Sequence, residues 1–151
     1  MTLPFLLLDT NVFSYVFRRD QRADPFSARI ASGTACIAAQ TVAELHLGAR
    51  KRTWGKARYE ELTRAINGLT ILNADKETAE LWAELALQAQ GCGRPMTTAD
   101  LWIIATAERW EIPLFTCDKD FSWYDAPQRA QRRRPLPMAP FASHGHATTS
   151  P

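Results

Sequence analysis

The order of apolar and polar residues describes strands alternating with helices. Phe5-Leu6-Leu7-Leu8 is a short unbroken apolar run that ends at Asp9, the length expected of a buried strand. From residue 11 to 18, Val12, Tyr15 and Val16 recur at helical spacing, with Phe13 and Phe17 on an adjoining face. Pro25 suits the first turn of a second helix, with Asp24 as its cap and an end near Gly33. Ala35-Cys36-Ile37-Ala38 reads as a second strand, and Gln40-Thr41 introduces a helix carrying Val42, Leu45 and Ala49, with Glu44 expected in its first turn. Tyr59, Leu62, Ala65 and Ile66 share one face of the next helix, which Asn67-Gly68 stops. A third strand over 69–72 leads to an amphipathic helix over 75–90, with Leu81, Leu85 and Ala89 inward and Glu77, Glu80 and Glu84 outward. The helix from Thr97 or Thr98 to about Trp110 is apolar all round, which predicts deep burial. Residues 113–116 make a fourth strand.

This alternation implies right-handed βαβ crossovers and a three-layer α/β/α fold with a mainly parallel sheet of four to five strands. Residues 1–125 form that domain, and 151 residues are enough for one sizeable core. Residues 126–151 read as a basic, Pro-rich extension, with an edge strand over 134–141 and disorder over the last ten positions.

Composition narrows the possibilities. No run of 18 apolar residues exists, so no membrane span is expected, and the short N-terminal run has no basic residue before it, unlike a secretory signal. Cys36, Cys92 and Cys117 are too scattered for a disulfide framework or a CxxC zinc site, which points to a cytoplasmic chain with reduced thiols. The net charge of +2 hides an asymmetry: Arg129, Arg132, Arg133 and Arg134 follow residue 125 with no acid, leaving 14 basic against 16 acidic residues before residue 126. A polyanion must therefore meet local patches such as Arg18, Arg19 and Arg22, or Arg50, Lys51, Arg52, Lys56 and Arg58, each of which also reads as a solvated helix face.

Four acids occupy equivalent places. Asp9 follows the first strand, Glu44 and Asp100 lie near the starts of helices, and Asp118 follows the fourth strand. Strand exits and the helix starts after them share one edge of a parallel sheet, so the four can converge. Each also has a local reading as a cap: Asp9 for the helix after it, Thr41-x-x-Glu44 and Thr97-x-x-Asp100 as capping boxes, and Asp118 or Asp120 for a helix containing Phe121. Two carboxylates about 6 Å apart repel by roughly 3 kcal/mol at an effective dielectric near 20. A cluster of four takes up protons or a cation, and oxygen ligands without His or Cys favour Mg²⁺ or Mn²⁺.

The motifs Asp9-Thr10-Asn11, Glu44, Gly93-Arg-Pro-x-x-x-Ala-Asp100-x-x-Ile103-x-Ala105 and Thr116-x-Asp118-x-Asp120-Phe121 resemble a PIN domain, over residues 4–125. More narrowly, they resemble the VapC-type toxin ribonucleases of bacterial toxin–antitoxin pairs. The resemblance implies a metal-dependent endoribonuclease, cytoplasmic and homodimeric, held inactive by a cognate antitoxin. Its acidic quartet falls on Asp9, Glu44, Asp100 and Asp118, with Asp9, Asp100 and Asp118 as metal ligands. Thr116 matches a hydroxyl beside the metal, Asn11 is a supporting ligand, and Asp120 reads as a helix cap before a ligand. By the same analogy an antitoxin helix lies between the helices of residues 11–18 and 59–66, with an arginine reaching the acids.

Other side chains carry less. His46 points away from Glu44, Cys117 reads as buried strand filler, and Trp82, Trp102, Trp110 and Tyr59 fall at core spacing. Neither GxGxxG nor a P-loop occurs. Two alternatives stand beside the nuclease: a receiver-like phosphoacceptor domain, though Asp9 lacks the acidic neighbour that reading needs, and a catalytically inactive PIN-like binding module.

Overall fold

In the computed structural model, residues 4–124 apart from 95 and 123 are described. Strand β1 (Phe5–Leu8) leads into helix α1 (Thr10–Phe17), then a short 3-10 turn (Gln21–Ala23) and α2 (Asp24–Ala31). Strand β2 (Thr34–Ala38) passes directly into α3 (Ala39–Lys51), followed by α4 (Lys56–Asn67) and strand β3 (Thr70–Leu72). Helices α5 (Lys76–Gly91) and α6 (Thr98–Trp110) then lead to strand β4 (Leu114–Phe115) and a second 3-10 turn (Lys119–Phe121).

Among the described residues the sheet has four strands in the order β3-β2-β1-β4, all parallel. Alternation within the apolar runs supplies both faces. Leu6, Leu8 and Ile37 point into a core shared with α1, α3 and α4, where Val12, Ala49, Leu62 and Ile66 are buried. Leu7, Cys36 and Ala38 point the other way, against Ile103 and Ala107 of α6. Helix α5 closes that side through Leu81 and Leu85, packed on Leu101 and Ile104. Each such leucine contributes about 1.5–3 kcal/mol when fully buried, so the apolar strand that ends at Asp9 is anchored on both faces.

Two local features hold the elements in place. A methyl group at Gly33 would sit 2.5 Å from Leu6 Cδ2 and 2.9 Å from the Pro4 carbonyl oxygen, so only glycine lets the chain enter β2 beside β1. Helix α5 begins with a complete capping box between Asp75 and Thr78, in keeping with its strong amphipathic pattern.

Several expectations need correction. The second helix has Ala23 at its N-cap with no side-chain cap, and Asp24 is already inside its first turn. Helix α3 starts at Ala39 without a side-chain cap, so Glu44 lies in its second turn and Thr41 makes no capping box. The reason is tertiary: β2 runs straight into the helix, and Thr41 is fully buried against Thr10. Cys117 is exposed and lies beyond β4, because that strand is shorter than its apolar run implied. The strand expected over 134–141 and the extension at 126–151 lie outside the described residues.

Candidate active site

In a sheet ordered β3-β2-β1-β4, the crossovers leave β1 in opposite directions, so the crevice between β1 and β4 at their carboxyl ends is the topological switch point. Asp9 stands at one lip of this crevice and Thr116 and Asp118 at the other. The Asp9 amide donates to the Phe115 carbonyl at 3.0 Å, continuing the β1–β4 ladder to the crevice edge.

Asp9 is 3% exposed, a carboxylate taken almost wholly out of water. Its Oδ1 accepts the Val12 amide at 2.6 Å and caps α1. Its Oδ2 accepts the Thr116 hydroxyl, whose oxygen in turn accepts the Asp118 amide at 3.0 Å. Capping does not exclude ligation, because each carboxylate oxygen keeps a second lone pair. Burial pushes the Asp9 carboxyl above its ordinary range; the bonds from Thr116 and Val12 oppose that rise, and the charges of Asp118 and Asp100 add to it.

Glu44 reaches the same place from α3. Burial also raises its carboxyl, relieved by Gln40 and Thr10 and reinforced by the charges of Asp100 and Asp9. Its Oε1 lies 3.3 Å from the Thr10 hydroxyl and 3.5 Å from Gln40 Nε2. Thr10 Oγ1 also lies 3.1 Å from Thr41 Oγ1. With one proton on Thr10, the arrangement closes when Thr41 donates to Thr10 and Thr10 donates to Glu44. Sequence reasoning misses this relay: it reads Thr41 as a cap, and nothing local marks a contact 31 positions away.

Asp100 sits in the first turn of α6, where its Oδ2 accepts the Thr97 hydroxyl at 2.6 Å while Thr97 caps the helix. It is the neighbour common to Asp9 and Glu44 in their electrostatics. Asp118 caps the closing 3-10 turn by accepting the Asp120 amide at 2.9 Å. Asp120 is therefore not the cap it was expected to be, since the turn begins one step before it, and its side chain is exposed. Asn11 is exposed beside Thr10 and Glu44, at the mouth of a groove. His46 and Tyr59 are bonded to each other at 2.7 Å, a packing pair as expected.

The donor set is carboxylate and hydroxyl oxygen throughout. Among the described residues no three His, Cys, Asp or Glu side chains are arranged to hold one ion together. Oxygen donors of this kind fit a hard cation such as Mg²⁺, which keeps several waters and takes one or two carboxylates directly. No helix among the described residues is long and apolar enough to cross a membrane.

Comparison with known proteins gives consistent relatives. The toxin FitB of Neisseria gonorrhoeae is 31% identical over 121 residues, 75% of this chain and 87% of FitB. Ribonuclease VapC5 of Mycobacterium tuberculosis is 31% identical over 87 residues, 56% of this chain and 64% of VapC5, just under two thirds of that protein. Among solved structures, FitAcB from Neisseria gonorrhoeae superposes with a TM-score of 0.62 at 27% identity, covering 83% of this chain and 93% of that one. VapBC2 from Rickettsia felis, bound to a DNA fragment from its promoter, reaches a TM-score of 0.70, with 81% and 94% covered. At 20% identity it speaks for the fold alone. The model described as the PIN domain matches residues 6–127, so the acids gathered at this switch point are those of a chain that belongs to the PIN-domain family.

Proposed function

We propose that this PIN-domain protein is an endoribonuclease that hydrolyses RNA phosphodiester bonds with Mg²⁺ or Mn²⁺, and that it is the toxin of a toxin–antitoxin pair. The observation that carries the reading is the Asp9 carboxylate: it is buried, fixed through both oxygens, and faced by two further acids. Confining negative charge in this way costs stability unless a proton or cation answers it. The names of the relatives, a ribonuclease and a toxin, point the same way.

Asp9 and Asp100 would hold the ion directly and Asp118 through water, with Asn11 and Thr116 in support. The ion, when bound, acidifies a water and draws charge from the phosphoryl oxygens. Thr116 keeps Asp9 in one rotamer, and Thr97 does the same for Asp100. Glu44, bonded to Thr10 at the near end of the site, would accept the proton of the attacking water. Asp120 would support the site through its backbone amide, which donates to Asp118.

A cognate antitoxin is the expected inhibitor, as in the toxin–antitoxin complexes among the structural relatives. A homodimer in the cytoplasm is the expected free state. The decisive assay incubates RNA with purified protein and Mg²⁺ or Mn²⁺, then adds chelator. Cleavage should require the metal and fall by at least about 100-fold in Asp100→Asn. Cleavage that survives both chelation and that substitution overturns the reading, and metal binding without cleavage would instead favour an inactive binding module.

A further inference from the structure

The acidic site opens into a groove of about 620 Å³ between α1, α3 and the start of α4. Thr10, Asn11 and Glu44 line its near end, so groove and site are continuous. Farther along, the lining turns basic: Arg18, Lys51, Arg52 and Arg58 are all exposed. Among the described residues none of the four is in an ion pair. Arg18 and Arg52 donate only to carbonyls of their own helices, at 3.2 and 3.4 Å. A second hollow shares Arg18 and Arg58 with this groove and is lined beyond them by Arg19, Arg64 and one acid, Glu61.

An aromatic side chain stands among these charges. Trp54 is half-buried, with Phe17 stacked beside it at 6.1 Å and the Arg58 guanidinium 4.2 Å over its ring. It is held there by a tight turn: Thr53 lies at φ 49°, a left-handed conformation costly for a β-branched residue, and the Trp54 amide folds back to the Ala49 carbonyl at 3.2 Å. Cations outside any ion pair among the described residues, spaced along a groove with a guanidinium laid over an indole, match a backbone of phosphates carrying stackable bases. They also answer a problem at the site itself, where four acids repel the polyanion that must reach them.

We propose that single-stranded RNA runs from the acidic site along this groove, its phosphates held by Arg18, Lys51 and Arg52 and one base stacked on the outer face of the Arg58 guanidinium that lies over Trp54. The proposal rests on the nuclease reading. The other occupant of such a groove, an antitoxin segment, is an outcome of the test.

The test uses the cleavage-silent variant Asp100→Asn and a short, unstructured, fluorescein-labelled RNA, read by anisotropy over a series of salt concentrations in the presence of Mg²⁺. In that background Arg58→Gln and the pair Lys51→Ala and Arg52→Ala should each weaken binding about tenfold. The pair should also flatten the salt slope, by roughly 0.7 for every phosphate that is no longer neutralised. Trp54→Leu, which keeps apolar bulk on Phe17, should weaken binding on the order of tenfold without changing the slope. Lys76→Ala, a charge removed from α5 far along the chain, should leave affinity as it was. With Asp100 restored, the groove variants should raise KM and hold kcat. If wild type cuts RNA but the groove variants keep its affinity, slope and KM, the groove is no RNA track and is left as a surface for protein. If wild type neither binds nor cuts RNA, this proposal falls together with the nuclease reading. Should Trp54→Leu fail to fold, the arginine and lysine variants decide alone.

Discussion

The Thr116 hydroxyl donates to Oδ2 of Asp9, joining residues 107 positions apart across the crevice between β1 and β4. Because the same hydroxyl oxygen accepts the Asp118 amide, one threonine links both lips of the site. It also lowers the cost of ionising Asp9, which burial otherwise raises.

Thr116→Val tests that link at nearly constant volume. It removes the donor from Asp9 and leaves the Asp118 amide without its acceptor, which should cost about 1–3 kcal/mol of stability. With the favourable bond gone, the Asp9 carboxyl rises further, so the acid limb of the pH–rate profile should move to higher pH. An unmoved acid limb would show that Thr116 does not govern Asp9.

Asp9→Asn should separate catalysis from stability. Asparagine still accepts the Val12 amide as a cap, so the fold should survive while cleavage is lost. The sign with pH follows from the raised carboxyl: its contribution to stability is complete below the unfolded value of 3.8 and is lost as pH rises through the folded one. Measured with chelator present, the variant should therefore be more stable than wild type at pH 7, and the gap should close as pH falls to about 4. Denaturant titrations that put wild type ahead at pH 7 would mean the buried charge is well compensated without metal.

The opposite sign belongs to Asp75. Its carboxyl is drawn down to about 2 by Arg109, which approaches it at 2.9 Å. The stability this pair supplies is present above 3.8, the unfolded value, and disappears as pH drops through about 2. Because the Asp75 side chain is 44% exposed, solvent screening limits the effect to about 1 kcal/mol or less. Arg109→Gln should lose that amount at pH 7 and progressively less as pH falls through about 2; an equal loss throughout would assign the effect to packing.

Glycine substitutions at two sites should give opposite results. Gly33→Ala pushes a methyl group into Leu6 and the Pro4 carbonyl, and should destabilise by about 1–3 kcal/mol. Gly91→Ala, at the end of α5 with nothing within 4 Å, should stabilise by a few tenths up to about 1 kcal/mol. Thermal melts of the two variants that shift in the same direction would contradict the packing described at Gly33.

What the sequence determined by itself is what can be settled within a few residues. The apolar run before Asp9, the amphipathic pattern over 75–90, the Thr97 cap and the Asn67-Gly68 stop are local, and each depends on only a few neighbouring residues. The alternation of those elements then implied a parallel sheet, and the family motifs implied which acids matter. Tertiary structure decided the rest. Glu44 lies in the second turn of its helix because Thr41 is buried against Thr10, 31 positions away, a contact no local pattern encodes. Cys117 is exposed because β4 ends at Phe115. Two basic clusters that read as solvated helix faces become one groove only when α1, α3 and α4 pack together. The physical reason is the range of the forces. Caps and periodicity act along a few residues of chain, whereas burial, repulsion among carboxylates and the walls of a groove depend on neighbours that only folding supplies.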